Sequence, residues 1–301
     1  MYDIIVIGGG PAGLTAAIYA LRADKKVLVI EKETFGGQIT FSPKVENIPG
    51  FVSLSGNEFA EKLVEQALEQ GAEVESLEVL SVEDGEIKKV ITDDGVFEAK
   101  AVIVATGAKH RVLGLENEEN FIGEGISFCA VCDGAFYKDL TVAVVGGGNS
   151  ALQEALLLSK LCKKVYIVQN LDFLTGEKKL AEQVYETENI EVLLGNVVSA
   201  YVGEDTLKGI VIKSATEEKE LLVDGVFLAV GLAPQNEPFK NFIELDNRGY
   251  AVADESCLTK TKGVFVAGDC RTKTVRQVAT AAADGAIAAL AAVEYLDSVK
   301  K

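Results

Sequence analysis

The chain has 301 residues, enough for two large cores, and its 48% hydrophobic and 25% charged residues, with 29 Gly and 5 Pro, exclude a disordered, collagen-like or mucin-like protein. Twenty-nine Lys and Arg against 46 Asp and Glu leave a formal net charge of −17, which repels phosphate backbones and anionic lipid, so no nucleic acid and no membrane is expected as a partner. The start, Met1-Tyr2-Asp3, lacks the basic stretch of a signal peptide. The Ala-rich run from Ala279 to Val293 is broken by Asp284, short of a membrane span, so a cytoplasmic protein is expected.

In chain order, Asp3 to Ile7 reads as a strand buried on both faces, followed at once by Gly8-Gly9-Gly10-Pro11-Ala12-Gly13. Pro11 suits a first helical turn, Leu14 to Leu21 are good helix formers, and Val27 to Ile30 restores a strand, which makes a βαβ unit. An amphipathic helix is expected from about Asn57 to Gln70. Strand-like runs joined by Asp84-Gly85 and Asp94-Gly95 read as hairpins, and Ala101 to Ala105 as another buried strand.

Sliding the sequence on itself by 138 places Ile4 to Gly10 on Val142 to Gly148 and Lys25-Lys26-Val27 on Lys163-Lys164-Val165, with Gly13 falling on Ala151. Apolar runs at Ile190 to Leu194, Ile210 to Ile212 and Val226 to Val230 complete a second copy. The last 60 residues begin no third copy: Gly263 to Asp269 is a strand ending in Gly-Asp, and a long Ala-rich helix follows. The fold class is therefore α/β, with two Rossmann-like, three-layer dinucleotide-binding domains, the second inserted into the first. Residues 1–113 and 242–301 are expected to form the first domain and 114–241 the second, with two crossings as a hinge.

In a strand-turn-helix setting Gly8 permits the tight turn, Gly10 lets backbone approach a pyrophosphate, and Gly13 allows close helix-to-strand packing. Glu31, closing the next strand, is placed to accept from ribose hydroxyls and to repel a 2′-phosphate, so FAD or NAD with a free ribose is expected here. In the second copy Gly146, Gly148 and Ala151 keep the turn, while Asn149 and Ser150 are placed to cap the helix and donate to phosphate. The residues matching Glu31 and its successors are Gln169, Asn170, Leu171, Asp172, Phe173, Leu174 and Thr175, with no basic side chain for an NADP 2′-phosphate.

Of five Cys, only Cys129 and Cys132 are close, as Cys-Ala-Val-Cys-Asp-Gly, and with one His in the chain a zinc site lacks ligands, so no metal is expected. Two thiols at this spacing close a small disulfide; one near a helix start has a lowered pKa, and Asp133 beside them can shuttle a proton. Cys162, in an apolar helical run, reads as a core thiol; Cys257 and Cys270 read either as two free thiols or as a second redox pair. Lys260, Lys262, Arg271, Lys273 and Arg276 form either a local basic patch or a solvated face.

Across essentially its whole length the chain resembles the low-molecular-weight thioredoxin reductases. The resemblance rests on residues 8–13, Gly36-Gly37-Gln38, Val45-Glu46-Asn47, Thr106-Gly107 in Ala105 to Ala108, Cys129 to Gly134, Gly146 to Ala151, Ala267-Gly268-Asp269 and Arg276-Gln277-Val278. It implies FAD on the first copy, with Gly8, Gly10, Pro11, Ala12 and Gly13 at the phosphates, Glu31 and Lys32 at the adenosine end, and Gly37, Gln38, Asn47, Thr106 and Gly107 along the cofactor. Gly268, Asp269, Arg276, Gln277 and Val278 would line the ribityl chain and ring. By the same carry-over, Cys132 faces the flavin, Cys129 attacks a thioredoxin-like disulfide, the inserted domain rotates between the two tasks, and the protein is a homodimer.

Members that use NADPH carry basic residues where this chain has Gln169, Asn170, Leu171 and Thr175. NADPH is therefore not the expected donor. The alternatives are NADH or a second FAD on the second turn, or an empty second turn with ferredoxin as donor. Two further readings are an ordinary NADPH-dependent enzyme with an unusual phosphate site and a flavin and dithiol redox sensor that does not turn over.

Overall fold

The computed structural model describes residues 1–42 and 45–299. These form two compact units, Met1–Lys109 with Ala233–Lys301, and His110–Leu232. The divisions fall at 109/110 and 232/233 rather than at 113/114 and 241/242, because hydrogen bonds claim the intervening residues. Gln235 N–H donates to Gly107 O, and Asn236, wholly buried, donates to the carbonyls of Gly249 and Cys270, which ties 233–241 into the first unit. The Leu113 and Gly114 amides donate to the Glu118 carboxylate of the second.

The first unit opens with β1 (Tyr2–Ile7), α1 (Pro11–Arg22), β2 (Val27–Glu31), α2 (Gly56–Glu69) and β3 (Glu73–Ser76). A hairpin series follows, β4 (Val79–Glu83), β5 (Lys88–Thr92) and β6 (Gly95–Val104), and the chain leaves through β7 (Ala108–His110). Ser55 starts α2 with a full capping box: its side chain accepts from Glu58 N–H, and the Glu58 carboxylate accepts from Ser55 N–H.

The second unit runs through the four-residue helix α3 (Glu118–Phe121), β8 (Ile126–Ser127), the four-residue helix α4 (Ala130–Asp133), β9 (Thr141–Val145), α5 (Asn149–Leu158), β10 (Lys164–Gln169), α6 (Lys178–Glu186) and β11 (Ile190–Leu194). Its own hairpins are β12 (Val197–Gly203), β13 (Leu207–Lys213) and β14 (Glu218–Leu222), before β15 (Gly225–Leu228) and β16 (Leu232–Pro234). The first unit is then completed by β17 (Val264–Val266) and α7 (Val278–Val299).

The repeat is visible in the sheets. β1 pairs in parallel with β2 and β6, as β9 does with β10 and β15. In the first unit one face of the sheet, with Ile4, Val6, Val29 and Ile103, packs on α1 and α7, while the other, with Ile5, Ile7, Leu28 and Val102, packs under the hairpin residues Val79, Val82 and Val90. In the second, Val142, Val144 and Ile167 face Leu152, Ala155 and Leu158 of α5, together with the core thiol of Cys162, and Ala143, Val145 and Val226 face Val198, Ile210 and Ile212. The units differ where hairpin meets sheet. β6 runs unbroken for 10 residues, pairing with β5 and then with β17, whereas Asp224 separates β14 from β15 and its carboxylate accepts from Thr141 N–H at 2.9 Å.

α7 corrects one expectation: at 22 residues it is long and apolar enough, by length and composition, to cross a membrane. It is nonetheless a packed helix, with Ala281, Ala288, Ala289, Ala292 and Leu296 in the core beside Ala12, Ala16 and Ala20 of α1. Its Asp284 does not interrupt it but lies buried in an ion network.

Candidate active site

At the end of β1, a Cβ on Gly8 would lie 2.3 Å from Ala105 O, and one on Gly13 1.8 Å from Gly8 O, so packing alone requires both glycines. Gly10 is different. A Cβ there would meet nothing nearer than Gly36 O at 3.8 Å, yet this residue is the N-cap of α1 and no side chain caps the helix. The backbone is bare where a pyrophosphate would approach the helix N-terminus. Glu31 stands beside it, its Oε2 accepting from Gly9 N–H at 2.7 Å and its Oε1 from Glu33 N–H at 2.8 Å. Lys32 points its Nζ to within 3.6 Å of Glu78 at the surface.

The remaining first-unit residues gather at the carboxyl ends of the same strands, where open α/β sheets bind ligands. Gly37 (φ +64°) and the exposed Gln38 lie in a 3₁₀ turn, Gly37–Phe41, after β2. Thr106 and Gly107 follow β6, and the Thr106 hydroxyl donates to Asn236 Oδ1 at 3.2 Å. Asn47 Nδ2 donates to Gln277 Oε1 at 3.3 Å, and Val278, the first residue of α7, packs beside Val45 and Ile48. Gly268 (φ +81°) follows β17 against Ala12. Arg276 donates to Asp269 O and Arg271 O, both at 3.3 Å, and lies 4.3 Å over the Tyr250 ring.

Asp269 gives the sharpest test of whether these residues fit a cofactor. Its Oδ1 is buried without a hydrogen-bond partner, and burial pushes the carboxyl up to about 6 against the pull of Lys273 and Arg276. A buried acceptor of this kind is costly unless a donor reaches it, and a hydroxyl of a polyol chain is such a donor. The residues present therefore fit FAD.

The five cations 260, 262, 271, 273 and 276 do not make one basic surface. Arg271 and Lys273 are buried and converge on Asp284, whose Oδ2 accepts from Arg271 Nε and Lys273 Nζ at 2.9 Å each and from Gly268 N–H at 3.0 Å, while Oδ1 accepts from Arg271 Nη2 at 2.8 Å. Lys260 pairs with Glu244. Asp284 and Asn236 are the site residues that the sequence did not suggest: nothing local marks a lone acid in an Ala-rich run, or an Asn in a polar loop, as buried. Cys257 and Cys270 are buried and donate to different carbonyls, Cys257 to Asp284 O at 3.6 Å and Cys270 to Ala267 O at 3.3 Å; they are free thiols with no disulfide between them.

The second turn repeats the first with changed side chains. A Cβ on Gly146 would lie 2.6 Å from Ala229 O, whereas one on Gly148 has only Thr175 Oγ1 at 3.7 Å, so here too the helix-starting glycine is bare without a packing reason. Gln169 is buried against Gly147 and donates to Phe173 O at 3.3 Å; Asn170 is exposed, and Leu171 and Phe173 expose apolar side chains. Gly148, not Asn149 or Ser150, precedes the helix, and no side chain caps it. The expected capping fails because the Asn149 amide is engaged by the next loop: its Oδ1 accepts from Glu177 N–H at 2.7 Å and its Nδ2 donates to Glu177 Oε1 at 3.1 Å. Ser150 is exposed and Ala151 buried.

Cys129 and Cys132 form a disulfide, with Cα atoms 5.3 Å apart. Cys129 is the N-cap of α4, and its Sγ accepts from Cys132 N–H at 3.2 Å. The Ser127 hydroxyl accepts from Cys129 N–H at 3.1 Å and donates to Asp133 Oδ2 at 2.6 Å. Burial raises the Asp133 carboxyl, the Ser127 bond opposes this, and Oδ1 is buried without a partner. Val131, between the two cysteines in sequence, and Phe136, after them, are exposed. His110 stacks on Phe128, ring centres 4.6 Å apart, and burial pushes it down to about 4, so it is neutral at pH 7 and structural. The arrangement is a half-buried disulfide followed directly in sequence by a carboxyl that burial raises.

Residues 2–285 match the pyridine nucleotide-disulphide oxidoreductase family. The chain is 42% identical over 299 residues to a 34.2 kDa protein in the rubredoxin operon of Clostridium pasteurianum, covering 98% of this chain and 97% of that one. It is 41% identical over 305 residues to the thioredoxin reductase of Listeria monocytogenes, covering 100% and 96%. The crystal structure of thioredoxin reductase from Streptococcus pyogenes superposes with a TM-score of 0.94 at 39% identity, covering 99% of each chain.

Proposed function

The chain belongs to the pyridine nucleotide-disulphide oxidoreductases, as a flavin-dependent disulfide oxidoreductase of thioredoxin-reductase type, and from there we propose that it passes two electrons to Cys129 and Cys132 and on to a thioredoxin-like disulfide, using a donor other than NADPH. The observation that carries the donor reading is the run from Gln169 to Glu177, which holds no Lys or Arg for a 2′-phosphate and presents a carboxylate at Asn149 instead.

Residues 8–13, Glu31, Asn47, Asp269 and Arg276–Val278 would hold FAD along the first turn, where it would supply two-electron chemistry between donor and dithiol. The protein's part is geometric and protonic. In the reduced pair, the Cys132 N–H aimed at Cys129 Sγ stabilises a thiolate there, so Cys129 attacks the partner disulfide and Cys132 resolves the mixed disulfide. Asp133, kept protonated to higher pH by burial, donates to the leaving sulfur and takes the proton back.

At the second turn, bare Gly148 supports a dinucleotide with free ribose hydroxyls, NADH or a second flavin, over an empty turn. Ferredoxin acting directly on the first flavin is disfavoured by the −17 net charge and by the burial of Arg271 and of the Lys273 side chain. The protein is read as a cytoplasmic homodimer.

The test is to denature the purified protein, count released flavins per chain, and supply NADH, NADPH and reduced ferredoxin separately with a thioredoxin disulfide. Turnover with NADH or ferredoxin but not NADPH is the expected result. NADPH saturation at micromolar concentration would overturn the donor reading, and protein that is colourless and takes up no FAD would overturn the whole. Cys132→Ser is expected to keep its flavin and lose disulfide reduction.

A further inference from the structure

The segment that carries the redox pair holds a polar side chain that the mechanism above has not used. Ser127 ends β8, the edge strand paired with β15 through Ile126 and Ser127, and is 5% exposed. Its Oγ lies 3.1 Å from Cys129 N, which can only donate, and 2.6 Å from Asp133 Oδ2. Among the described residues no other acceptor is within hydrogen-bond reach of the hydroxyl. A Ser127 that accepted a proton from Asp133 would therefore strand its own proton in a buried place, at the cost of an unmade hydrogen bond. Oδ2 is thus an acceptor. The reverse arrangement would leave both the Ser127 proton and Oδ1 unpaired, whereas a proton on Oδ1 leaves only itself unpaired until a sulfur accepts it, so a proton on this carboxyl sits on Oδ1.

We infer that Ser127 is a positioning residue for dithiol exchange: anchored by the Cys129 amide, it holds Asp133 so that Oδ1 alone carries and passes the proton. This rests on the reading of Asp133 as the acid and base of the Cys129–Cys132 couple. Cys129 Sγ, as thiolate, attacks the partner disulfide; that S–S bond breaks, a mixed disulfide forms, and the leaving sulfur takes the proton from Oδ1. Cys132 S–H then returns a proton to Oδ1 as its sulfur attacks Cys129 Sγ. The mixed disulfide breaks and the second partner sulfur leaves as a thiolate. One electron pair has passed from enzyme dithiol to partner disulfide, and Asp133 ends as it began.

Titratable groups near Asp133 include the two sulfurs of its own helical turn and Tyr137 on the 3₁₀ turn after it, whose phenol is pushed up to about 12 by burial and then by the charges of Asp133, Glu124 and Asp224, so it stays neutral in the assay range. Glu154, on α5 which packs against α4, is a second carboxyl raised by burial, so the assay needs an Asp133 variant to assign its limb. The reduced holoenzyme is mixed with excess bacterial thioredoxin in its disulfide form. This chain has no Trp, so the partner's tryptophan fluorescence reports the single turnover across pH.

The descending limb on the alkaline side is expected to vanish in Asp133→Asn, to move up by about one pH unit in Ser127→Ala, because a donor to the ionised carboxylate is lost, and to stay in place in Ser127→Thr. A profile unaltered in Asp133→Asn removes the acid reading itself. A limb that vanishes in Asp133→Asn yet does not move in Ser127→Ala, or moves equally in Ser127→Thr, overturns the Ser127 assignment alone. Should Ser127→Ala not fold, the infrared band of protonated Asp133 in the wild-type enzyme, identified by its loss in Asp133→Asn, decides. A hydrogen-bonded carbonyl position supports Oδ2 as acceptor, and a free-carbonyl position overturns it.

Discussion

Glu31 and Gln169 stand at the same point of the internal repeat, each closing the strand that follows the helix of its glycine turn and each laid against the middle glycine of that turn. A Cβ on Gly9 would come within 3.0 Å of Glu31 Cβ, and one on Gly147 within 2.5 Å of Gln169 Cδ. What differs is charge. Two backbone amides hold the Glu31 carboxylate, whereas the Gln169 amide donates to Phe173 O, and no cation stands between it and Glu177.

Installing cations should therefore change the donor. Asn170→Arg combined with Leu171→Arg is expected to strengthen NADPH binding by about two to four powers of ten, since each charge-assisted hydrogen bond contributes about 1.5 to 3 kcal/mol and 1.4 kcal/mol is tenfold. NADH affinity should change little. Calorimetric titration with both nucleotides checks this, and an equal gain for the two would point to non-specific attraction instead.

Gly146 and Gly148 separate folding from binding. Gly146→Ala should unfold or strongly destabilise the protein, because φ is +132° and the new methyl would meet Ala229 O at 2.6 Å. Gly148→Ala has room, with its nearest neighbour at 3.7 Å, and should melt within a degree or two of wild type while losing the rise in melting temperature that a dinucleotide gives. An unchanged ligand-induced rise in Gly148→Ala would mean that nothing approaches that backbone.

The repeat, the two hairpins of the first unit and the glycine turns were legible because each is written locally, in runs of Ile and Val, in Asp-Gly pairs and in strand-glycine-helix order. The capping box was equally written in Ser55 and Glu58, and reading it would have moved the start of α2 from Asn57 to Gly56. Arg271, Lys273 and Asp284 were not legible. Their burial depends on α7 lying against the 254–273 segment, a pairing across 11 to 13 residues that no local pattern marks, and on the sequence alone the cations read as surface. Asn149 was misread for the same reason: its partner, Glu177, is 28 residues away.

Glu154 carries a pH prediction. Burial pushes its carboxyl from 4.5 to about 7, and its Oε2 is buried without a partner. An acid whose folded pKa is raised binds more protons folded than unfolded, so its ionisation subtracts stability as pH rises from 4.5 to about 7. Glu154→Gln should thus match wild type below that window and gain on it by about 1 kcal/mol per pH unit within it. Denaturant unfolding at several pH values checks this; a constant difference would mean that Glu154 titrates normally.

Asp284 has the opposite sign. Burial alone would raise its carboxyl, but the hydrogen bonds from Arg271 and Lys273 outweigh that and hold it below the ordinary value of 3.8. A depressed folded pKa gives stability that is fully present above 3.8 and is lost as pH falls through the folded value, so the network holds at neutral pH and fails only in strong acid. Asp284→Asn keeps the shape but leaves Arg271 and Lys273 buried without their counter-charge and weakens the acceptor for Gly268 N–H. Removing one partner from a buried ion pair costs about 3 to 5 kcal/mol. The loss should appear first as flavin release, because Gly268 and Asp269 share the turn that the network anchors, and only then as global unfolding. Flavin fluorescence and circular dichroism followed in one thermal ramp separate the two events, and coincident transitions in Asp284→Asn, as sharp as in wild type, would show that the network holds the whole unit rather than the cofactor turn.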